Sequence, residues 1–172
     1  MTEFIVRPMQ PEDMDEILLV QAACYIGDIP ESAISLHAKL NASPLSCFVA
    51  TLNDELIAYL ISLPWTSSAP PALNAQVCEI PSQPDCLYLH DLSVHPYARG
   101  TGVARALIDC FFARCAQWQM RRTCLVAVQD SAPYWRRFGF QTVPLTPILQ
   151  SKLASYPDEA EFLVREIWTQ SS

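Results

Sequence analysis

Leu89-His90-Asp91-Leu92-Ser93-Val94-His95-Pro96-Tyr97-Ala98-Arg99-Gly100-Thr101-Gly102-Val103-Ala104-Arg105-Ala106-Leu107 decides the fold of this chain. With the three residues before it, the first part reads as a strand over 86–94 that stops at His95-Pro96. The last part opens a helix, because Val103, Ala106-Leu107, Cys110-Phe111, Arg114-Cys115 and Trp118 keep a 3.6-residue apolar period. Only four glycines occur in the whole chain, and two of them, Gly100 and Gly102, stand in the turn between these elements. Glycine there leaves backbone N–H groups exposed beside the positive end of the helix, without a Cβ in the way, which suits a phosphate or pyrophosphate. The plainer alternative is a tight turn that needs glycine for its backbone angles.

Thr123 to Val128 is a buried apolar run, so the chain goes strand, crossover helix, strand, and this requires a parallel pair with a right-handed connection. Upstream, Phe4-Ile5-Val6 reads as a short strand closed by Arg7-Pro8, followed by helices over 11–25 and 31–40. Cys47 to Leu52 and Glu55 to Trp65 flank the turn signal Asn53-Asp54 and form an antiparallel hairpin. Residues 64–85 are rich in Pro, Ser, Ala and Asn and form a long loop, either a segment that contacts substrate or plain decoration. A short helix over 132–138 stops at Gly139, and a last strand runs over 161–168. The expected fold is α/β in one domain over 1–172. Its mixed central sheet is antiparallel in the N-terminal part, parallel around the strand-turn-helix, and flanked by helices.

The 172 residues are 51% apolar and 17% charged, with a formal net charge of -7. That composition excludes a disordered chain and argues against a general nucleic-acid binder, whose affinity rests on clustered Lys and Arg. No apolar run is long enough to cross a membrane, and the N-terminus carries no basic and apolar leader, so a cytoplasmic protein is expected. Seven cysteines, an odd number, read as reduced core thiols, and with His37, His90 and His95 they form no metal-ligand spacing.

Two familiar phosphate loops fail at the glycine turn. The P-loop lysine is missing, and a dinucleotide fingerprint would need a small residue where Arg105 stands. Arg99-Gly100-Thr101-Gly102-Val103-Ala104 instead resembles the acetyl-CoA signature, Arg/Gln-x-x-Gly-x-Gly/Ala, of the Gcn5-related N-acetyltransferase (GNAT) family. Leu89 to Pro96 looks like that family's fourth strand, with some likeness to arylalkylamine acetyltransferases at His90. Tyr134-Trp135-Arg136-Arg137-Phe138-Gly139-Phe140 resembles its later Gly-Phe motif. The resemblance implies acetyl-CoA as cosubstrate, with no metal. The backbone from Arg99 through Gly100, Thr101, Gly102 and Val103 to Ala104 would hold the pyrophosphate, with Arg105 adding charge. Leu92, Ser93 and Val94 would lie along the pantetheine arm, and Trp135 would line the same site.

Acetyl transfer needs a base for the attacking amine and an acid for the departing thiolate, and a tyrosine near pKa ~10 suits a thiol near ~8.5. The family often places that tyrosine four residues before the glycine of the Gly-Phe motif, where this chain has Trp135. Tyr134, one residue away, is the candidate acid; water or direct thiolate release is the rival. His90 and Asp91 are the candidate base and amine-binding or relaying carboxylate, and strand alternation would turn them to opposite faces. His90 otherwise reads as a hydrogen-bonded strand histidine and Asp91 as a loop cap. His95 reads as structural, and Glu79 is a weak third candidate. The expected function is direct acetyl transfer to a primary amine of a small molecule or peptide. The alternatives are a non-catalytic acyl-CoA sensor or regulatory module, and an interaction domain with a vestigial groove. Family members often dimerise, so the resemblance leaves a homodimer open, and no interface is legible.

Overall fold

The computed structural model describes all residues except 1, 2, 26, 28 and 168–172. Pro11–Asp13, a 3₁₀ turn with Pro11 at its start, leads into α1 (Met14–Cys24), and Ser32 caps α2 (Ala33–Ala42) by accepting from the Ser35 N–H. Before them lies β1 (Ile5–Pro8), and after them come β2 (Cys47–Leu52), β3 (Glu55–Trp65) and β4 (Cys86–Val94). Helix α3 (Val103–Gln117) crosses to β5 (Arg122–Ala127), followed by α4 (Ala132–Arg136), β6 (Gln141–Thr142), α5 (Pro147–Leu153) and β7 (Glu161–Glu166). Trp168, the expected end of the last strand, lies outside the described residues.

The seven strands form one sheet in the order β1-β2-β3-β4-β5-β7-β6, antiparallel except for β4 beside β5. One face buries Phe48, Ala58, Leu60, Leu87, Leu89 and Leu125 against Val103, Leu107 and Phe111 of α3 and Trp135 of α4. The other face packs Val49, Tyr59 and Ile61 against Ile17, Val20, Leu36 and Leu40 of α1 and α2, and Tyr88, Cys124 and Phe162 against Leu149 of α5. Of the positions that the 3.6-residue pattern marks, Val103, Leu107, Phe111 and Cys115 are buried and Ala106, Cys110, Arg114 and Trp118 half-buried, while Ile108, which it did not mark, is buried too.

Two features of β4 position the site. The register with β3 jumps from Ile61↔Asp91 to Ser62↔Leu89, so His90 has no partner on β3 and forms a β-bulge. Against β5, only Leu87, Tyr88 and Leu89 are paired, with Thr123, Cys124 and Leu125 in turn, and beyond them the two parallel strands are no longer bonded.

The loop after β3 is tied down rather than free. Asp85 accepts from the Ser67 N–H at 2.7 Å and from its hydroxyl at 3.0 Å, and the Trp65 indole N–H donates to Ala69 O at 2.9 Å. Further along, Asn74 Oδ1 accepts from the N–H of Ser32, the residue that caps α2.

Candidate active site

The bulge overturns one expectation. Leu87 and Leu89 face α3, and so do Leu92 and Val94, which leaves two residues between Leu89 and Leu92 instead of one. His90 and Asp91 therefore both turn to the face of α1 and α2, where His90 meets Glu31 and Asp91 meets Tyr25 and Tyr59. Strict alternation would have placed them on opposite faces; the extra residue cancels it.

Past the bulge, the His95 N–H donates to Ile57 O at 2.8 Å, so the polar groups of residues 93 and 95 point to β3. Those of Leu92 and Val94 point the other way, to the side that β5 has left, as antiparallel pairing requires. Val94 O accepts from Cys24 Sγ at 3.2 Å on that side. Both residues line a cavity of about 480 Å³ whose walls also include His90, Asp91, Arg99, Gly100, Gly102, Ala104, Ser131, Tyr134 and Trp135.

The glycine turn closes one end of this cavity. Gly100 and Gly102 have φ of +80° and +87°, and a Cβ on either would meet open space, so these glycines serve conformation and access rather than packing. Gly102 caps α3 without any side-chain hydrogen bond, and the first helical bond runs from the Ala106 N–H to Gly102 O at 3.1 Å. The N–H groups of Val103, Ala104 and Arg105 thus have no acceptor within the helix, which is the arrangement an anion completes. Thr101 donates its hydroxyl to Ala98 O at 2.6 Å and braces the turn from outside the cavity. The Arg105 side chain points outward too, 3.5 Å from Asp109, with most of its surface exposed.

Tyr134 is half-buried on the cavity wall, and burial pushes its hydroxyl up, partly opposed by Arg137 and Arg105. Trp135 is 7% exposed and packs edge-on against Tyr134 and Phe140, so it is a core residue that also borders the cavity. Asp91 accepts from Tyr25 and Tyr59 hydroxyls at 2.6 Å each and from Ser93 Oγ at 3.1 Å. Burial raises the Asp91 carboxyl, and the two tyrosine hydroxyls pull it back down. His95 accepts from the Tyr97 N–H within the turn, and Glu79 is exposed and away from the cavity wall.

Several wall residues escaped the sequence reading: Cys24, Tyr25, Glu31, Leu73, Gln129 and Tyr156. Tyr59, which holds Asp91 from β3, carried the only signal, a hydroxyl in an apolar strand that must find a buried partner. A second cavity of about 440 Å³ adjoins the first, sharing Ile29, Leu73, Gln129 and Tyr156 with it.

An open strand edge running into a glycine-rich helix start offers backbone groups first to an extended amide-bearing chain and then to an anion. Residues 14–140 match the model of the acetyltransferase (GNAT) family. The chain belongs to that family. No curated protein matches this GNAT sequence significantly. Among solved structures, it is similar to Ard1 from Thermoplasma volcanium, with TM-score 0.74 and 14% identity, covering 96% of this chain and 99% of that one. It is similar to the GphF GNAT-like decarboxylase in complex with isobutyryl-CoA, with TM-score 0.70 and 16% identity over 94% and 98% of the two chains. The ribosomal-protein-S18-alanine N-acetyltransferase from Escherichia coli aligns with TM-score 0.69 and 13% identity, over 99% of this chain and 97% of that one. At such identities the likeness is one of fold, and the fold hosts more than one reaction. Among the described residues of this GNAT protein, no helix is long and apolar enough to cross a membrane.

Proposed function

We propose that this GNAT protein transfers an acetyl group from acetyl-CoA directly to a primary amine. The observation that supports it is the continuity of one cavity from the free N–H groups of Leu92 and Val94 to the glycine turn, with His90 and Tyr134 on its walls. The backbone of β4 would pair with the pantetheine amides as an added strand, and the amides from Gly100 to Ala104 would receive the pyrophosphate. Arg99, exposed at the same turn, adds positive charge near the phosphates. Bound acetyl-CoA supplies the electrophilic thioester carbonyl and a thiolate leaving group.

The acceptor would arrive from the second cavity, between the chain around Ile29, the loop at Leu73 and the segment at Tyr156. His90 would take the proton that the attacking nitrogen loses, and Tyr134 would donate one to the thiolate. A phenol raised by burial stays protonated at neutral pH and can serve as that donor. Asp91, already holding three hydroxyls, would fix Tyr25 on the wall of the first cavity, with Tyr59 bracing it from the core.

Calorimetric titration with acetyl-CoA, in the wild type and in Gly102→Val, tests the reading. A β-branched residue at φ +87° is strained and brings a side chain into the open space at the turn. Saturable binding is expected in the wild type, weakened by roughly tenfold or more in the variant, a loss of about 1.4 kcal/mol. Acetylated product, detected by mass spectrometry across a panel of primary amines, completes the test. Binding without product from any amine would favour an acyl-CoA sensor, and no binding would remove both readings.

A further inference from the structure

Behind the cavity lies a buried ionic cluster that acetyl-CoA binding does not call for. Glu31 sits one residue before the cap of α2, and Gln21 of α1 clasps its backbone from both sides. Gln21 Nε2 donates to Glu31 O at 2.9 Å, and the Glu31 N–H donates to Gln21 Oε1 at 3.0 Å. Its side chain and those of Lys39 and His90 are 1–3% exposed. One carboxylate oxygen, Oε2, accepts from Ser35 Oγ at 2.7 Å and from Lys39 Nζ at 3.0 Å. The other, Oε1, meets His90 Nε2.

Burial pushes the Glu31 carboxyl up, but His90, Lys39 and Ser35 outweigh it and hold the group well below the usual carboxylate range. An ionised carboxylate only accepts, so the proton between the two groups belongs to His90 Nε2, and whenever the ring carries a single proton its lone pair lies on Nδ1. Nδ1 is buried and has no hydrogen-bond partner among the described residues; the imidazole is 1% exposed, so His90 borders the cavity chiefly through its main chain, with the ring behind it. A Glu31–Lys39 ion pair would be complete without the imidazole. The unpartnered nitrogen is what a purely structural role leaves unexplained, and one ordered water between the ring and the cavity would satisfy it.

We propose that Glu31 is the positioning residue of the proton-accepting histidine, holding His90 as the Nε2–H tautomer so that Nδ1 serves the acceptor amine. This rests on the acetyl-transfer reading. As the amine nitrogen bonds to the thioester carbonyl carbon and the carbon–sulfur bond breaks, the nitrogen's proton passes to Nδ1 through one water. The thiolate takes a proton from Tyr134, and both groups return to their starting states by exchange with solvent. Lys39 and Ser35 keep Glu31 an acceptor throughout.

Glu31→Gln separates positioning from packing, because Lys39 and Ser35 both donate to the same oxygen. The glutamine carbonyl must face them, which turns its NH₂ to His90 Nε2 and drives the ring to the Nδ1–H tautomer. Imidazole ¹⁵N spectra of the intact protein read this without turnover, and with three histidines in the chain, H37Q and H95Q suffice for assignment. The expected result is Nε2–H in the wild type and in Glu31→Asp, and Nδ1–H in E31Q. With it, kcat should fall by roughly 10²- to 10⁴-fold in E31Q, with KM for acetyl-CoA within about twofold and partial recovery in E31D. An Nδ1–H wild type, or an E31Q enzyme with kcat within about threefold of it, would overturn the proposal while leaving acetyl transfer intact. If E31Q does not fold, the wild-type tautomer and the E31D kinetics still decide. Absence of turnover with every amine in the wild type would instead overturn the transfer reading on which the proposal rests.

Discussion

Tyr134 and Trp135 are adjacent in sequence and opposite in environment. The indole is 7% exposed and wedged against Phe140, whereas the phenol is half-buried on the cavity wall. Tyr134→Phe removes one hydroxyl and little else, so kcat should drop by roughly 10²-fold while acetyl-CoA affinity, read by calorimetry, stays within about twofold. An unchanged kcat would assign the departing thiolate's proton to water. Motif spacing alone put the indole at the usual acid position; one step along a helix, about 100°, separates it from the ring with the hydroxyl. Residue-level partners were the least legible part of the site. Glu31 reaches His90 across 59 positions, and Tyr25 reaches Asp91 across 66, and no local pattern encodes such pairs.

Among elements, the long helix and the strands could be read because their burial repeats with a period. Leu107 is fully buried in α3 against the sheet, and Leu107→Ala should cost about 2–5 kcal/mol by urea unfolding, the range for a buried leucine cavity. A loss under about 1 kcal/mol would mean that α3 packs less tightly than its zero exposure implies. Short pieces lacked a readable period. Strand β6 has two residues, and α5 has seven, although Thr146 and Pro147 carry a start signal, since the Thr146 side chain accepts from the Leu149 N–H. The bulge at His90 was hidden for a different reason: alternation is a rule about regular pairing, and a single inserted residue leaves no mark in composition.

Across the whole molecule, the carboxylates do not respond to acid alike. Glu31 is held below the ordinary range, and Asp13 is too, where burial is outweighed by hydrogen bonds from Arg7 and the Gln10 N–H. Groups lowered on folding stabilise the protein above their unfolded pKa, about 4, and that contribution is lost as pH falls through the folded value. Asp91, raised by burial, acts with the opposite sign and favours the folded state on acidification through its window. Arg7 is 38% exposed, so its pair with Asp13 is screened and the buried Glu31 cluster should dominate. The urea midpoint is therefore expected to fall between about pH 5 and pH 3, less steeply in E31Q. A midpoint that rises on acidification would assign the larger share to Asp91. The hairpin and the parallel pair were legible from the chain at this scale, the latter because strand, turn, helix and strand follow one another without interruption from Cys86 to Ala127, whereas the pairing of β3 with β4 across the long loop was not.

Where β4 parts from β5, the sheet is left one strand short beyond Leu89. The proposed pantetheine arm would complete it as an added strand, so its binding would also stabilise the fold. At one hundred times its dissociation constant, such a ligand adds about 2.7 kcal/mol to the folded state. The amides of Leu92 and Val94 would then exchange with deuterium slowly only while the slot is filled. The survival of this protein against heat or protease would then become a gauge of how much ligand surrounds it.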